Sequence, residues 1–315
     1  MSSLITIVIP VYNREVTLLR TLRSIESQSV APAEVILVDN GSTDGSPELM
    51  RQWMAGRPNV RLLHEKKRGA CAARNRGLEE VRTEFVEFFD SDDEMLPRHI
   101  ADFENAIKAN HDFDIYGRNI VTKRLDGSCR TEFFTARNAM FHHIFRSSLS
   151  TGRIIVRTAL VKAVGGWNEE LTGWDDYELG IRLLLNGGKA KKISGRPSVI
   201  AYQQEDSLTG INFSSHPERW ERAMDTVRGN IIKSGRNDLL KWVDVRCMIL
   251  AAQYKLESLG VCSNNSGGRN AMLAEILKNK VLERTPYKKR MELIYLHNRY
   301  FRRLTWMFAR MLFPW

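Results

Sequence analysis

The chain has 315 residues, of which 43% are hydrophobic and 27% charged, and it carries a formal net charge of +10. That length and apolar content can bury a sizeable core, which excludes a disordered polymer and allows one large domain or two smaller ones. Cys71, Cys129, Cys247 and Cys262 show no Cys-x-x-Cys spacing and read as free thiols of a reducing cytosol, not as a zinc site or a disulfide framework.

The opening MSSLITIVIP lacks a basic leader followed by a long apolar core, so no secretory signal is expected. Its apolar run at 4–9 is too short to span a bilayer and fits a strand. A helical pattern follows with Leu18, Leu19, Leu22 and Ile25, then a strand at 35–38, a helix around Leu49 to Met54, and a strand at 60–63. A helix through Ala72 to Val81 and a strand at 85–89 complete this stretch. Strands alternating with helices in this way predict an α/β fold, a mostly parallel sheet flanked by helices. Ligands of such sheets bind beyond the carboxyl ends of the strands. The polar clusters fall at those ends: PVYNRE, DNGSTDGS and DSDD.

Residues 111–215 are more mixed, with a strand expected at Arg153 to Arg157, a turn at Gly165-Gly166, and GWDDYELGIRLLLNGG. Leu179, Arg182, Leu183 and Asn186 continue that segment at helical spacing, and Gly187-Gly188 stops it. Asp175 and Asp176 therefore fall in a first helical turn, where the helix dipole favours negative charge. From 216 onward the pattern is helical: Ser215-His-Pro-Glu218 reads as a capping box, 263–268 as a loop, and Thr285-Pro286 as the opening of the last helix. The expected division is 1–110, 111–215 and 216–315.

Several clusters suggest chemistry. Asp90, Asp92, Asp93 and Glu94 in FFDSDDEM crowd like charges after a strand, and a divalent cation such as Mg2+ or Mn2+ relieves that repulsion while keeping positions open for phosphate oxygens. As a bare Asp-x-Asp the stretch equally fits an acidic helix start before Pro97. Asp39 closes its strand where an acid can accept hydrogen bonds from a base or ribose, although its neighbours are also ordinary turn residues. In RGACAARNRGL small residues permit close packing, and Arg68 or Arg74 can meet phosphate or simply cover the surface. A carboxylate in GWDDYELG can take a proton from a hydroxyl, with Trp174 as a face for a sugar ring; a capped helix start over a buried Trp is the alternative.

In order, ITIVIPVYNRE, VDNGSTDGS, RGACAARNRGL, FFDSDDEM, GGWNEEL and GWDDYELGIRLL resemble the family 2 glycosyltransferases, inverting enzymes with the GT-A fold. The resemblance covers about Ile5 to Leu185. It implies nucleotide-sugar binding in 1–110 through Pro10, Tyr12, Asn13, Asp39, Arg68 and Asp90. It also implies an acceptor-binding half in 111–215 and a helical C-terminal extension. It makes Asp92 the ligand of Mn2+ or Mg2+, Asp176 the catalytic base, and Trp174 and Asp175 neighbours of the sugars. Asp175 and Glu178 exchange the acid usual at each position for its shorter or longer homologue. A downstream histidine of many relatives is matched by no residue in YQQEDSLTG, which leaves His216 or no protein group in its place. UDP is the nucleotide the resemblance favours, and a glycan or lipid-linked molecule the acceptor.

From Pro286 to Trp315 seven Lys or Arg face a single acid, Glu292. Arg299, Arg302, Arg303 and Arg310 interleave with Trp306, Phe308, Phe313 and Trp315, as in helices lying on an anionic membrane surface; a helix packed on its own domain is the alternative. The expected location is cytoplasmic, peripheral on the membrane. A dinucleotide oxidoreductase would place Gly-x-Gly-x-x-Gly where PVYNRE stands. A basic nucleic-acid-binding module, or a transferase degenerated to mere binding, is the competing reading; the former explains the charge but not the acids, and no nucleic acid is expected as partner.

Overall fold

The computed structural model of the chain describes residues 3–204, 215–260, 266–301 and 304–313. Two compact units are present, Met1–Ser207 and Leu208–Trp315. The first begins β1 (Ile5–Val11), α1 (Leu18–Glu26), β2 (Glu34–Asp39), α2 (Ser46–Met54), β3 (Val60–His64), α3 (Ala70–Glu80) and β4 (Phe85–Phe88). It continues with β5 (Glu94–Met95), α4 (His99–Ala109), β6 (Ile115–Gly117), β7 (Ile120–Lys123), β8 (Cys129–Glu132) and α5 (Ala139–Arg146). After these come β9 (Ile154–Arg157), α6 (Thr158–Ala163), α7 (Asp175–Leu185), β10 (Ala190–Lys192) and β11 (Val199–Tyr202).

Seven strands form one sheet in the order β10-β6-β9-β4-β1-β2-β3. β9 is antiparallel to both β4 and β6, and the remaining neighbours are parallel. The central strand β1 is buried on both faces because its residues alternate between two cores. Ile5, Ile7, Ile9 and Val11 pack with Leu18, Leu22, Phe103 and Ile107 from α1 and α4, while Val8 packs with Ile36, Val38, Ala73 and Leu78 on the α3 side. Each fully buried Leu or Ile side chain contributes about 1.5–3 kcal/mol. Helix α3 lies so close to the sheet that a Cβ on Gly77 would stand 2.4 Å from Val8 Cγ1, so only glycine fits there. A second sheet, β5-β11-β7-β8, stands beside the first. The register puts Val11, Asp39 and His64 level at the carboxyl ends of β1, β2 and β3, which opens one edge of the sheet to the loops that carry the polar clusters.

The second unit is helical: α8 (Pro217–Lys233), α9 (Leu240–Gly260), α10 (Ser266–Arg284), α11 (Lys288–Phe301) and α12 (Thr305–Leu312). Three details differ from expectation. The residue before α8 is His216, whose imidazole lies 3.4 Å from Glu218, and no side chain caps the helix, so Ser215 does not form a capping box. The loop expected at 263–268 has already become helix at Ser266, its earlier residues lying outside the described ones. The final segment starts at Lys288, after the buried Thr285 whose hydroxyl accepts the Tyr287 N–H, and is two helices instead of one.

In the tail, two of the four aromatics expected at a membrane boundary turn inward. Phe308 stacks on His297 with 4.2 Å between ring centres, and Phe313 is buried edge-on against Trp242 and Tyr287, so these aromatics cover their own unit. The side chains of Arg299, Arg302, Arg303 and Trp315 lie outside the described residues. Among the described residues no helix is long and apolar enough to cross a membrane.

Candidate active site

The first loop leaves β1 through Tyr12 and Asn13, the latter in left-handed backbone at φ 50°, which asparagine tolerates better than bulkier residues. Asn13 ties this loop to the one after β2: its backbone N–H donates to Ser42 Oγ, and its Oδ1 accepts from Thr43 N at 2.8 Å. Asp39 accepts the Ser42 N–H at 3.0 Å through Oδ1, and its Oδ2 lies 3.3 Å from His64 Nδ1. Asn40 fastens the third loop by donating to Lys67 O and accepting from Gly69 N. Gly69 needs its φ of 126°, and beside it the Arg68 guanidinium lies 4.5 Å over the exposed Tyr12 ring. The structure thus gathers Tyr12, Asn13, Asp39 and Arg68 at one sheet edge. Pro10 stands opposite Val38, half-buried, one residue short of the end of β1.

The acids after β4 divide by environment. Both oxygens of Asp90 are taken by protein: Oδ1 accepts Arg74 Nη2 at 2.8 Å and Oδ2 accepts Thr151 Oγ1 at 3.0 Å. Asp93 is buried and accepts the Tyr202 N–H, which fastens the second sheet to this loop, while Thr21 Oγ1 donates to its carbonyl. Burial, then Asp90 and Asp92, push the Asp93 carboxyl well up. The Asp92 carboxylate is held more loosely. Arg14 Nε is 3.6 Å away, Arg20 Nη2 donates to its main-chain oxygen, and burial followed by Asp90 raises its pKa to about 6.

The second acidic pair opens α7 after Trp174, a bulky residue held in left-handed backbone at φ 52°, a strain that persists only when the surroundings fix it. Trp174 is 8% exposed and packs on Tyr177, so its indole faces inward and presents no platform for a sugar. Asp175 is likewise engaged: Arg74 Nη1 donates to its Oδ2 at 2.7 Å, and Cys71 Sγ lies 3.2 Å from the same oxygen. Glu178 is buried in a two-pronged pair with Arg182. Asp176 takes one hydrogen bond, from Tyr177 N at 2.7 Å, and keeps part of its surface open. Protein atoms crowd it nonetheless, and this burial, with Asp175 next, pushes its pKa up to about 7.

Arg74 is therefore the link that sequence reading left open between phosphate and surface. Its guanidinium is buried between Asp90 and Asp175, joining the acid cluster after β4 to the one that opens α7, and it lies 4.4 Å over Trp167. Burial works against its charge, and the two carboxylates outweigh it. No phosphate can reach that fork without displacing a carboxylate. Thr151 and Arg20 lie outside every quoted motif, and Arg14 in PVYNRE and Tyr202 in YQQEDSLTG were given no role; only their approach to the acids in space reveals them.

Among the described residues no three His, Cys, Asp or Glu side chains converge as a metal cage. A single half-buried carboxylate of raised pKa fits Mg2+ or Mn2+ when a diphosphate and water supply the other oxygens, since such cations are commonly held by one or two carboxylates plus substrate phosphates. Asp92 is the residue that fits.

Strand order, sheet edge and paired acids define the fold of the GT-A glycosyltransferases. Structure 1-349 of Staphylococcus aureus TarS in complex with UDP-GlcNAc superposes over 99% of this chain and 90% of that one with a TM-score of 0.71 at 21% identity. Residues 6–154 match the model of glycosyl transferase family 2, and the chain carries a domain of that family. The teichoic acid poly(glycerol phosphate) polymerase of Staphylococcus epidermidis is 30% identical over 220 residues, 67% of this chain and 30% of that protein. An uncharacterized glycosyltransferase, YibD of Escherichia coli (strain K12), is 38% identical over 93 residues, 30% of this chain and 27% of its own length. The chain thus spans less than a third of the length of these curated relatives.

Proposed function

We propose that this chain is an inverting glycosyltransferase that moves a sugar from a nucleoside diphosphate donor, UDP first among them, to a hydroxyl of a glycan or lipid-linked acceptor in bacterial surface-polysaccharide assembly. The observation that carries it is Asp176: a partly open carboxylate whose pKa near 7 matches the working range of a general base, set beside a donor-side acid cluster through the Arg74 bridge. The acceptor O–H attacks the anomeric carbon, the bond from that carbon to the phosphate oxygen breaks with its electron pair leaving on the diphosphate, and the proton passes to Asp176. One base suffices, whereas glycoside hydrolysis calls for two carboxylates flanking the bond. Tyr12, Asp39 and Arg68 bind the base and ribose side of the donor, and Asp92 holds Mg2+ or Mn2+. When bound, that cation supplies positive charge to the departing diphosphate. Arg14 adds to the same field from 3.6 Å.

The surface-polysaccharide assignment leans on the relatives named for teichoic acid synthesis and on the UDP-GlcNAc bound by TarS. A peripheral position on the membrane is part of the proposal, and it now rests on a different face from the aromatic one. Leu304, Met307 and Met311 follow each other at helical spacing, all exposed, with Arg310 among them.

Calorimetric titration with UDP, GDP and dTDP, each with and without Mn2+, tests the donor half. One nucleotide is expected to bind in a metal-dependent way, and Asp92→Ala to abolish the metal dependence. Binding of none of the three to the wild-type protein overturns the reading.

A further inference from the structure

Arg153, at the turn that feeds β9, is 6% exposed and has no carboxylate partner among the described residues. Its one hydrogen bond runs from Nη1 to Ser147 O at 3.3 Å, and its buried Nε meets nothing. The neighbouring Ser148 hydroxyl is also buried without a partner. A guanidinium kept in the interior with its fork unfilled is unusual, because burying an uncompensated charge costs several kcal/mol. Glu132, Asp176 and Arg130 are near enough to act on it, and Glu132 is itself paired with Arg130 Nε at 3.1 Å. Two arginines therefore repel each other close to the proposed base.

We propose that Arg153, with Arg130 near it, is a phosphate site of the acceptor, so that the attacking hydroxyl belongs to a phosphate-bearing molecule. The inference rests on the reading of Asp176 as the base, since nearness to that carboxylate puts the site on the acceptor side. The Nε and Nη2 edge of a guanidinium matches two oxygens of one anion. A carboxylate has no oxygen beyond those two, whereas a tetrahedral phosphate has a third for the exposed Arg130. An empty fork then explains itself as a ligand position retained at some expense of stability.

The test is calorimetry and thermal denaturation of the full chain saturated with UDP, titrated with sodium phosphate and with sodium acetate at constant ionic strength. Phosphate is expected to bind and to raise the melting temperature, with Arg153→Gln weakening it at least tenfold while UDP affinity stays the same. Arg153→Met is expected to fold at least as stably as the wild type. Unchanged phosphate affinity in Arg153→Gln, equal affinity for acetate, or strong destabilisation by Arg153→Met, which marks the arginine as a mere cap of the α5 carboxyl end, each overturns the proposal. Failure of UDP to bind strikes the donor reading alone, because phosphate titration of the UDP-free pair still reports Arg153. Repeating the titration with glycerophosphoglycerol and with a short prenyl phosphate in micelles separates a polyol phosphate chain from a lipid carrier as the source of the group.

Discussion

Asp176 is placed under opposing demands, and they can be measured separately. Its pKa is raised from 3.8 to about 7 by burial and by Asp175, so the folded protein prefers the acid form while base catalysis needs the carboxylate. The transfer rate is expected to fall about tenfold per pH unit below 7 and to level off above it. Asp176→Asn is expected to lower turnover by about 10²–10⁴-fold with donor affinity unchanged; equal activity in that variant refutes the base assignment. The stability effect has the opposite sign. Because the folded pKa lies above the unfolded one, this group weakens the fold increasingly between about pH 4 and pH 7 and fully above that range. Asp176→Asn should therefore match the wild type in stability near pH 4 and exceed it near pH 8 by on the order of 2–4 kcal/mol, read by chemical denaturation at the two pH values. Arg74 invites the complementary experiment. Arg74→Met leaves Asp90 and Asp175 facing each other without a cation and is expected to destabilise by about 3–5 kcal/mol, whereas Arg74→Lys restores charge but reaches only one carboxylate; wild-type stability in Arg74→Met would show that the bridge holds nothing. Sequence made the acids visible because six ordered motifs surround them. It left Arg74 ambiguous, since an arginine in a helix rich in small residues looks the same whether it faces phosphate, solvent or carboxylate. Trp174 was misjudged for a related reason: its inward turn depends on a positive φ that no local pattern announces.

At the level of elements, β1, β2, β3 and β4 were legible because their apolar runs are bounded by turn residues; β1, β2 and β4 are buried on both faces, and the edge strand β3 keeps its apolar run although it is only half-buried. The second sheet was not. Its strands hold two to four residues, and β5 finds its partner β11 about a hundred positions later, too short and too distant for periodicity to report. β4 also contains a charge that pattern reading passes over. Glu87 is completely buried in FVEF and meets His99 Nε2 of α4 at 2.9 Å, while His99 Nδ1 meets Ser198 Oγ at 2.8 Å beside β11. This chain fastens the central sheet, α4 and the second sheet to one another without reaching the ligand edge. His99→Leu strands the buried carboxylate and is expected to cost about 3–5 kcal/mol in chemical denaturation, while adding Glu87→Met recovers most of the loss, as a buried pair replaced by apolar groups often does. A single variant as stable as the wild type would mean that Glu87 is satisfied by some other group.

At the scale of the whole molecule, the acids of the proposed donor edge are already met by Arg14, Arg20 and Arg74, so most of the net charge of +10 lies on other surfaces. The charge census of the tail was readable directly, but the apolar residues that accompany it were not, since which side of a helix meets its own unit depends on packing. Phe313 and Phe308 turned inward. Leu304, Met307 and Met311 remained outward, Met311 80% exposed, with Arg310 on the same short helix. An apolar row that shares its helix with the exposed Arg310 fits the boundary of an anionic bilayer, where each basic residue near the surface contributes about 1 kcal/mol. Co-sedimentation with vesicles of phosphatidylglycerol is expected to retain the protein at low salt and release part of it at high salt. Replacing Met307 and Met311 by glutamate both removes apolar area and opposes the surface potential, so the double variant is expected to partition at least tenfold less while its helix content by circular dichroism and its UDP affinity stay unchanged. Equal sedimentation of variant and wild type would detach this face from the membrane, and the basic tail would then have to answer to the charge of the acceptor alone.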